Sequence, residues 1–124
     1  MTYLTVKALV GLALFDLLAV ESKFRRVHSL VRNWKISRGG QQDRAIERVS
    51  EAINRACCWY PKRVLCLQRS VVTICMLRDI GVPAEMVLGA NRLPFKAHAW
   101  VEVAGQPINE RENVRQNYLV WDRC

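Results

Sequence analysis

Val64-Leu65-Cys66-Leu67-Gln68-Arg69-Ser70-Val71-Val72-Thr73-Ile74-Cys75-Met76-Leu77-Arg78-Asp79-Ile80-Gly81 is the stretch around which the rest of the chain is organised. Leu67, Val71, Ile74 and Leu77 recur at three- and four-residue spacing, with Met76 and Ile80 beside them. That period predicts a helix with one buried stripe. Gly81 followed by Val82-Pro83 ends it, because glycine takes the left-handed cap and proline cannot continue the turn. Pro61 breaks the chain upstream, so Cys66 falls at or near the first turn. A thiol there meets unpaired backbone N–H groups and the positive end of the helix dipole, which favour thiolate. Cys66 is therefore a candidate nucleophile, provided a histidine elsewhere can reach it. The plainer alternative is a small buried hydrophobe closing the core.

The totals bound the answer. At 124 residues, 51% of them hydrophobic and only 6 Gly and 4 Pro, the chain is expected to form one globular domain and not a disordered segment. Within 1–124, residues 1–40 read as an apolar and basic helical region and 41–124 as a catalytic core. A net charge of +8 attracts anions of any kind: nucleic acid, acidic lipid or acidic peptide. Five cysteines, an odd count without a convincing export signal, suggest a reducing, cytoplasmic setting and no disulfide framework. With no C-x-x-C pair and both histidines far from the cysteines in sequence, neither a metal nor a cofactor is expected.

Residues 3–20 are the most hydrophobic part of the chain. Lys7 and Asp16 leave eight uncharged residues between them, against the roughly 20 a membrane span needs. A helix packed on the domain is the expected outcome, a membrane-surface or partner-docking helix the alternative. From Ser22 to Arg38 there are six basic residues and no acid, with Phe24, Val27, Leu30, Val31 and Trp34 at helical spacing. This reads as a basic amphipathic helix, either a solvated face or a docking surface for something acidic. His28 lies in it without a carboxylate neighbour in sequence and reads as a surface residue. Gly39-Gly40 breaks the pattern and Gln41-Gln42-Asp43 offers a cap. The next helix, about Asp43 to Trp59, carries the stripe Ala45, Ile46, Val49, Ala52, Ile53 and Ala56. Vicinal Cys57-Cys58 reads as packing.

After Gly81 the pattern turns to strands: Ala84 to Ala90, Ala97 to Val103, Gln106 to Glu110 and Tyr118 to Trp121, with Asn91 to Phe95 as a loop. Helices first and a small antiparallel sheet after them make the fold class α+β. In the second strand His98, Trp100 and Glu102 share one face, read as mixed and as the place for an exposed working imidazole, and Ala97, Ala99, Val101 and Val103 the other. A three-residue loop Val103-Ala104-Gly105 sets His98 opposite Glu110, whose carboxylate could orient the imidazole. A register slip of one puts Arg111 there instead and leaves Asn109, on the diagonal, as the fallback orienter.

The chemistry that follows is a Cys66 thiolate activated by His98, attack on a carbonyl, and a thioester released by water. The Cys66 N–H at the helix start is the first oxyanion donor, with Trp59, Gln68 and Tyr60 as candidates for the second. Arg69 is a surface or substrate-contacting cation, and Trp100 a wall beside the imidazole or an aromatic lying over the sheet.

Cys66-Leu67-Gln68-Arg69-Ser70, Gly81-Val82-Pro83-Ala84, Val87-Leu88-Gly89 and Pro94 to Val103 (P-F-K-A-H-A-W-V-E-V) resemble the lasso peptide B-protein protease domain. That family is the transglutaminase-like leader peptidase of lasso peptide biosynthesis, and the resemblance runs from about residue 60 to 111. It implies a papain/transglutaminase-like core with Cys, His and Asp in that chain order. Cys66 and His98 fall on the nucleophile and base, and Glu110 matches the aspartate with one methylene more. The implied substrate is a ribosomal precursor peptide cut between leader and core. The implied partners are a leader-binding RRE protein and a lasso cyclase. Nucleic acid is not expected as a partner, and residues 1–38 are a candidate peripheral membrane contact. Two other readings stand beside this one. One is a noncatalytic docking protein whose basic helix grips nucleic acid or an acidic membrane; the other is acyl transfer to an amine in place of water.

Overall fold

The structure, a computed structural model, describes residues 3–19, 24–37, 42–92, 95–110 and 118–124. Four helices precede four strands: α1 (Tyr3–Ala19), α2 (Phe24–Asn33), α3 (Gln42–Trp59), α4 (Cys66–Asp79), β1 (Ala84–Arg92), β2 (Phe95–Val103), β3 (Gln106–Ile108) and β4 (Leu119–Arg123). The sheet is antiparallel in the order β3-β2-β1-β4, so the chain ends beside β1 and not beside β3. The α+β class expected from the sequence is the fold observed.

The helix at 66–79 lies at the centre. Its Val71, Ile74 and Leu77 pack against Met86, Leu88, Ala99, Val101 and Val103 of the sheet. Ala8 and Leu12 of α1 and Val49, Ile53 and Ala56 of α3 complete the same core. Each fully buried aliphatic chain here contributes about 1.5–3 kcal/mol of transfer free energy. The predicted stripe of α3 is the buried one, with Ala45 and Ile46 at its margin.

Several expectations need correction. The basic helix is shorter than residues 22–38: it ends at Asn33, and Trp34 to Ser37 are not helical. Arg78 explains the stop. Its buried guanidinium donates to the carbonyls of Val31 and of Trp34 (3.2 Å), of Ala84 in β1 (3.0 Å) and of Cys124 after β4 (2.8 Å). It also presents its own carbonyl to the Ser37 N–H at 2.8 Å. Two of these carbonyls also accept a backbone N–H, Val31 O from Trp34 (3.2 Å) and Cys124 O from Met86 (3.4 Å), so the guanidinium adds a second bond to each. His28 does have a carboxylate partner, Asp122, at 2.7 Å, 94 residues away in sequence. Cys57 packs on the core but Cys58 is exposed. Asn91, Arg92 and Phe95 belong to strands, not to a loop. The Gly39-Gly40 break, the Gln41 cap, Leu93-Pro94 and Arg111 lie outside the described residues.

The largest correction concerns the hairpin between β2 and β3. Val103 pairs with Gln106, Glu102 with Pro107 and Val101 with Ile108, so the loop has two residues, not three. Ala104 (φ 51°) and Gly105 (φ 78°) both occupy the left-handed region, as the tight turn of a two-residue hairpin requires. The face carrying Trp100 and Glu102 is also buried, not exposed, each at 1%. Val87, Val120 and Tyr118 cover the Trp100 ring. Gly89 makes room for it: a Cβ there would lie 2.8 Å from Trp100 Cη2 and 2.9 Å from Tyr118 Cβ.

Candidate active site

The main-chain path brings Cys66 and His98 together. Cys66 is the first residue of α4, and its cap position, Leu65 (ψ 162°), supplies no side-chain hydrogen bond. No side chain thus caps the opening N–H groups of the helix. α4 packs across β2, which places this end over His98 and Ala99.

At that point the sheet opens. Asn109 has φ 56°, and the β2–β3 ladder ends at Ile108 opposite Val101. The β2 backbone at Ala99 thereby faces the sulfur instead of a β3 residue: hydrogen bonds link the Cys66 thiol to the His98 side chain and to the backbone of Ala99 and Leu67. The same departure folds Glu110 back over the imidazole, whose Nε2–H donates to Glu110 Oε1 at 2.7 Å. With Nε2 engaged, Nδ1 is the nitrogen left to face the thiol. The ring also stacks on Trp100 (centroids 5.7 Å, 26°) and tilts against Tyr118 (5.2 Å). Cys66, His98 and Glu110 line one cleft of about 210 Å³ with Arg69, Ser70, Thr73 and Asn109.

The electrostatics follow. The His98 hydrogen bond lowers the Cys66 pKa against the opposing effect of burial, and the Ala99 and Leu67 backbone and the imidazolium charge add to it. Cys66 in turn raises His98, with the Glu110 hydrogen bond second, to about 9. Both shifts favour the ionised forms, thiolate and imidazolium.

The remaining predicted residues separate clearly. Gln68 is buried on the far side of α4, its Nε2 donating to Leu12 O at 2.9 Å, so it is not an oxyanion donor. Tyr60 donates to Asp16 and to Leu12 O (3.3 Å), also away from the cleft. Trp59 is 70% exposed and does not line the cleft. Trp100 stacks on His98, but its indole N–H is committed to Glu102 Oε2 at 2.9 Å. Asn109 is not an orienter: its amide exchanges hydrogen bonds with Asn54 (2.9 and 3.3 Å). Arg69 lines the cleft and donates to the same Asn54. Sequence reasoning missed this Arg69–Asn54–Asn109 bridge, and also Arg123, which neutralises buried Glu102 at 2.9 Å beneath the aromatic layer. Neither left a local signal, since the partners lie on different elements. Among the described residues no group of three or more His, Cys, Asp or Glu is placed to hold a metal ion. Nor is any described helix long and apolar enough to cross a membrane.

Comparison with known proteins bears on the whole arrangement. The Microcin J25-processing protein McjB of Escherichia coli is 38% identical over 55 residues, which is 44% of this chain and 26% of that protein. The chain thus matches about a quarter of that relative's length. No solved structure matches significantly. The sequence model of the family described as the transglutaminase-like superfamily matches residues 11–121, nearly the full length, and spans the cysteine-bearing helix, the histidine-bearing strand and the glutamate after β3. The chain therefore belongs to the transglutaminase-like superfamily.

Proposed function

We propose that this protein is a cysteine peptidase that removes the leader from a lasso peptide precursor, hydrolysing the leader–core amide bond. The observation that carries the reading is the convergence of Cys66, His98 and Glu110 in one cleft, with the thiol lowered and the imidazole raised. The partial likeness to a microcin-processing protein supports the substrate class.

In this reading the Cys66 thiolate attacks the scissile carbonyl carbon, and the carbonyl electron pair moves onto oxygen. The Cys66 N–H, which as first helical residue has no intrahelical acceptor, donates to that oxyanion. Collapse breaks the C–N bond as His98 gives its proton to the leaving amine, the new N-terminus of the core peptide. Water, deprotonated by His98, then releases the leader from the thioester as a carboxylate. Glu110 accepts from Nε2, fixing the tautomer and stabilising the imidazolium throughout.

Residues 41–124 form the catalytic core of a single cytoplasmic domain in this reading, and 1–40 its helical extension. A leader-binding RRE protein presents the precursor, and a cyclase consumes the freed core. The test is incubation with the cognate precursor and leader-binding protein, followed by mass spectrometry. Cleavage at one bond by the wild type, absent with Cys66→Ala and with His98→Ala, is the expected result. Cleavage that persists in Cys66→Ala defeats the proposal. Product mass also separates hydrolysis from transfer to an amine.

A further inference from the structure

Away from the cleft, α1, α2 and α4 leave a second and larger concavity between them, a trough of about 580 Å³. Val10 and Leu14 form one wall, Leu30 and Trp34 the other, and Val72 and Met76 the floor. Its charged groups sit at the margins. Asp79 accepts the Trp34 indole N–H at 2.9 Å and pairs with Lys7 at 3.5 Å, while Arg26 stands exposed on the α2 side.

α1 continues this surface outward. Thr5, Ala8 and Leu12 turn to the core, at most 1% exposed. On the opposite side Tyr3, Val6, Val10, Leu14 and Leu17 recur every three or four residues, with exposures between 47% and 77%. Single exposed apolar residues are ordinary, but a row along about four turns beside an apolar trough marks an interaction surface.

We infer that this trough binds an acidic amphipathic helix of a partner protein, its apolar ridge seated between α1 and α2 and its carboxylates meeting Arg26 and Lys7. Three features select that occupant. The concavity has two helical walls and an aromatic at one end, the shape that receives a ridge of side chains at i, i+3, i+4 and i+7. The chain carries +8, and the described cations at the trough are Arg26 and Lys7, so the potential draws carboxylates. A second copy would bring a rim of the same sign, and a flat anionic bilayer would leave the trough unfilled. α4 supplies the floor and also carries Cys66 on its first turn, so the partner lies on the helix that holds the nucleophile.

Direct binding tests this without reference to cleavage. Two synthetic helices with one leucine row, flanked by glutamates in the first and lysines in the second, are titrated by fluorescence polarisation. The acidic helix is expected to bind at least about tenfold more tightly than the basic one, and less well at high salt. Leu30→Asp and Val10→Asp are each expected to abolish binding, and Arg26→Glu, a change at an exposed position, to reverse the preference. Equal binding of the two helices, no binding, or indifference to Leu30→Asp overturns the inference. So does tighter, peptide-insensitive binding to phosphatidylserine vesicles, or a concentration-dependent dimer that Leu30→Asp dissolves.

Discussion

Cys66 and Cys75 stand nine residues apart on one helix, and the protein pushes them in opposite directions. At the start of α4 the thiol is half-buried, accepts backbone hydrogen bonds and faces an imidazole, and its pKa falls. Farther along, burial chiefly and the nearby Asp79 carboxylate secondarily drive Cys75 up to about 12. The two ends of the helix differ in the same way. Leu65 leaves the first turn uncapped, whereas Arg78 at the last turn gathers carbonyls from α2, β1 and the chain after β4. One end has no side-chain cap, its Leu67 backbone bonded to the Cys66 sulfur, and the other is tied to three further segments of the chain. A reactive thiol needs both, because an open N-terminus is useful only on a helix that does not shift.

The sharpest way to break this contrast is to exchange the cysteines' fates. Cys66→Ala should lower precursor cleavage at least about 10³-fold, whereas Cys75→Ala should leave kcat within about twofold. Iodoacetamide at neutral pH, read by peptide mass mapping, should label Cys66 and spare Cys75. Equal labelling would remove the distinction. Next in size is the anchored end. Arg78→Met removes the buried hydrogen bonds that tie α2, β1 and the chain after β4 to α4, and should cost about 3–5 kcal/mol in a urea unfolding curve; a loss below about 1 kcal/mol would show that water replaces the guanidinium.

A smaller effect sharpens the open end. By NMR titration His98 should ionise near 9, against its ordinary 6.5. Cys66→Ala, which removes the largest cause, should bring it down further than Glu110→Gln, which removes the second; the reverse order would contradict the assignment. The sign for stability follows: the His98 contribution is fully present below 6.5 and is lost as pH rises through about 9. The Cys66 contribution has the opposite sense, complete above 9.0 and lost as pH falls through its lowered value. Cleavage should therefore decline on the alkaline side near 9, as the imidazolium that protonates the leaving amine disappears. The smallest expected change is Leu65→Asp, at an exposed cap position. A side-chain cap should stabilise by about 0.5–1 kcal/mol in the same unfolding assay. Its charge should also raise the Cys66 pKa and slow alkylation at neutral pH, so a gain on both counts would mean the uncapped turn plays no part in activating sulfur.

What the sequence made legible was periodic or local. The stripe Val71, Ile74, Leu77, the stop at Gly81 and the strand bearing His98 all announce themselves within a dozen residues. The pairing of His98 with Glu110 was reached through a register the hairpin does not use. Ala104 at φ 51° makes the turn two residues long, a conformation alanine seldom takes, and Asn109 then carries Glu110 out of the ladder and back to the ring. Gln68 and Tyr60 were misplaced because their hydrogen bonds reach across to α1, which helix phase relative to a neighbour decides and spacing alone does not. Alternation puts Trp100 and Glu102 on the His98 face but does not show that Tyr118 and Arg123, arriving from the far end of the chain, cover it. Long-range closure of this kind is what single-sequence patterns lack.

The early exit of β3 has one more effect. A strand that loses its neighbour ordinarily offers bare amides to any passing extended chain, and this is how sheets polymerise. Here the stretch of β2 freed at Ala99 is occupied by a sulfur atom and overhung by a carboxylate. The arrangement that lowers the thiol pKa thus also guards the sheet's rim against fibrous self-association.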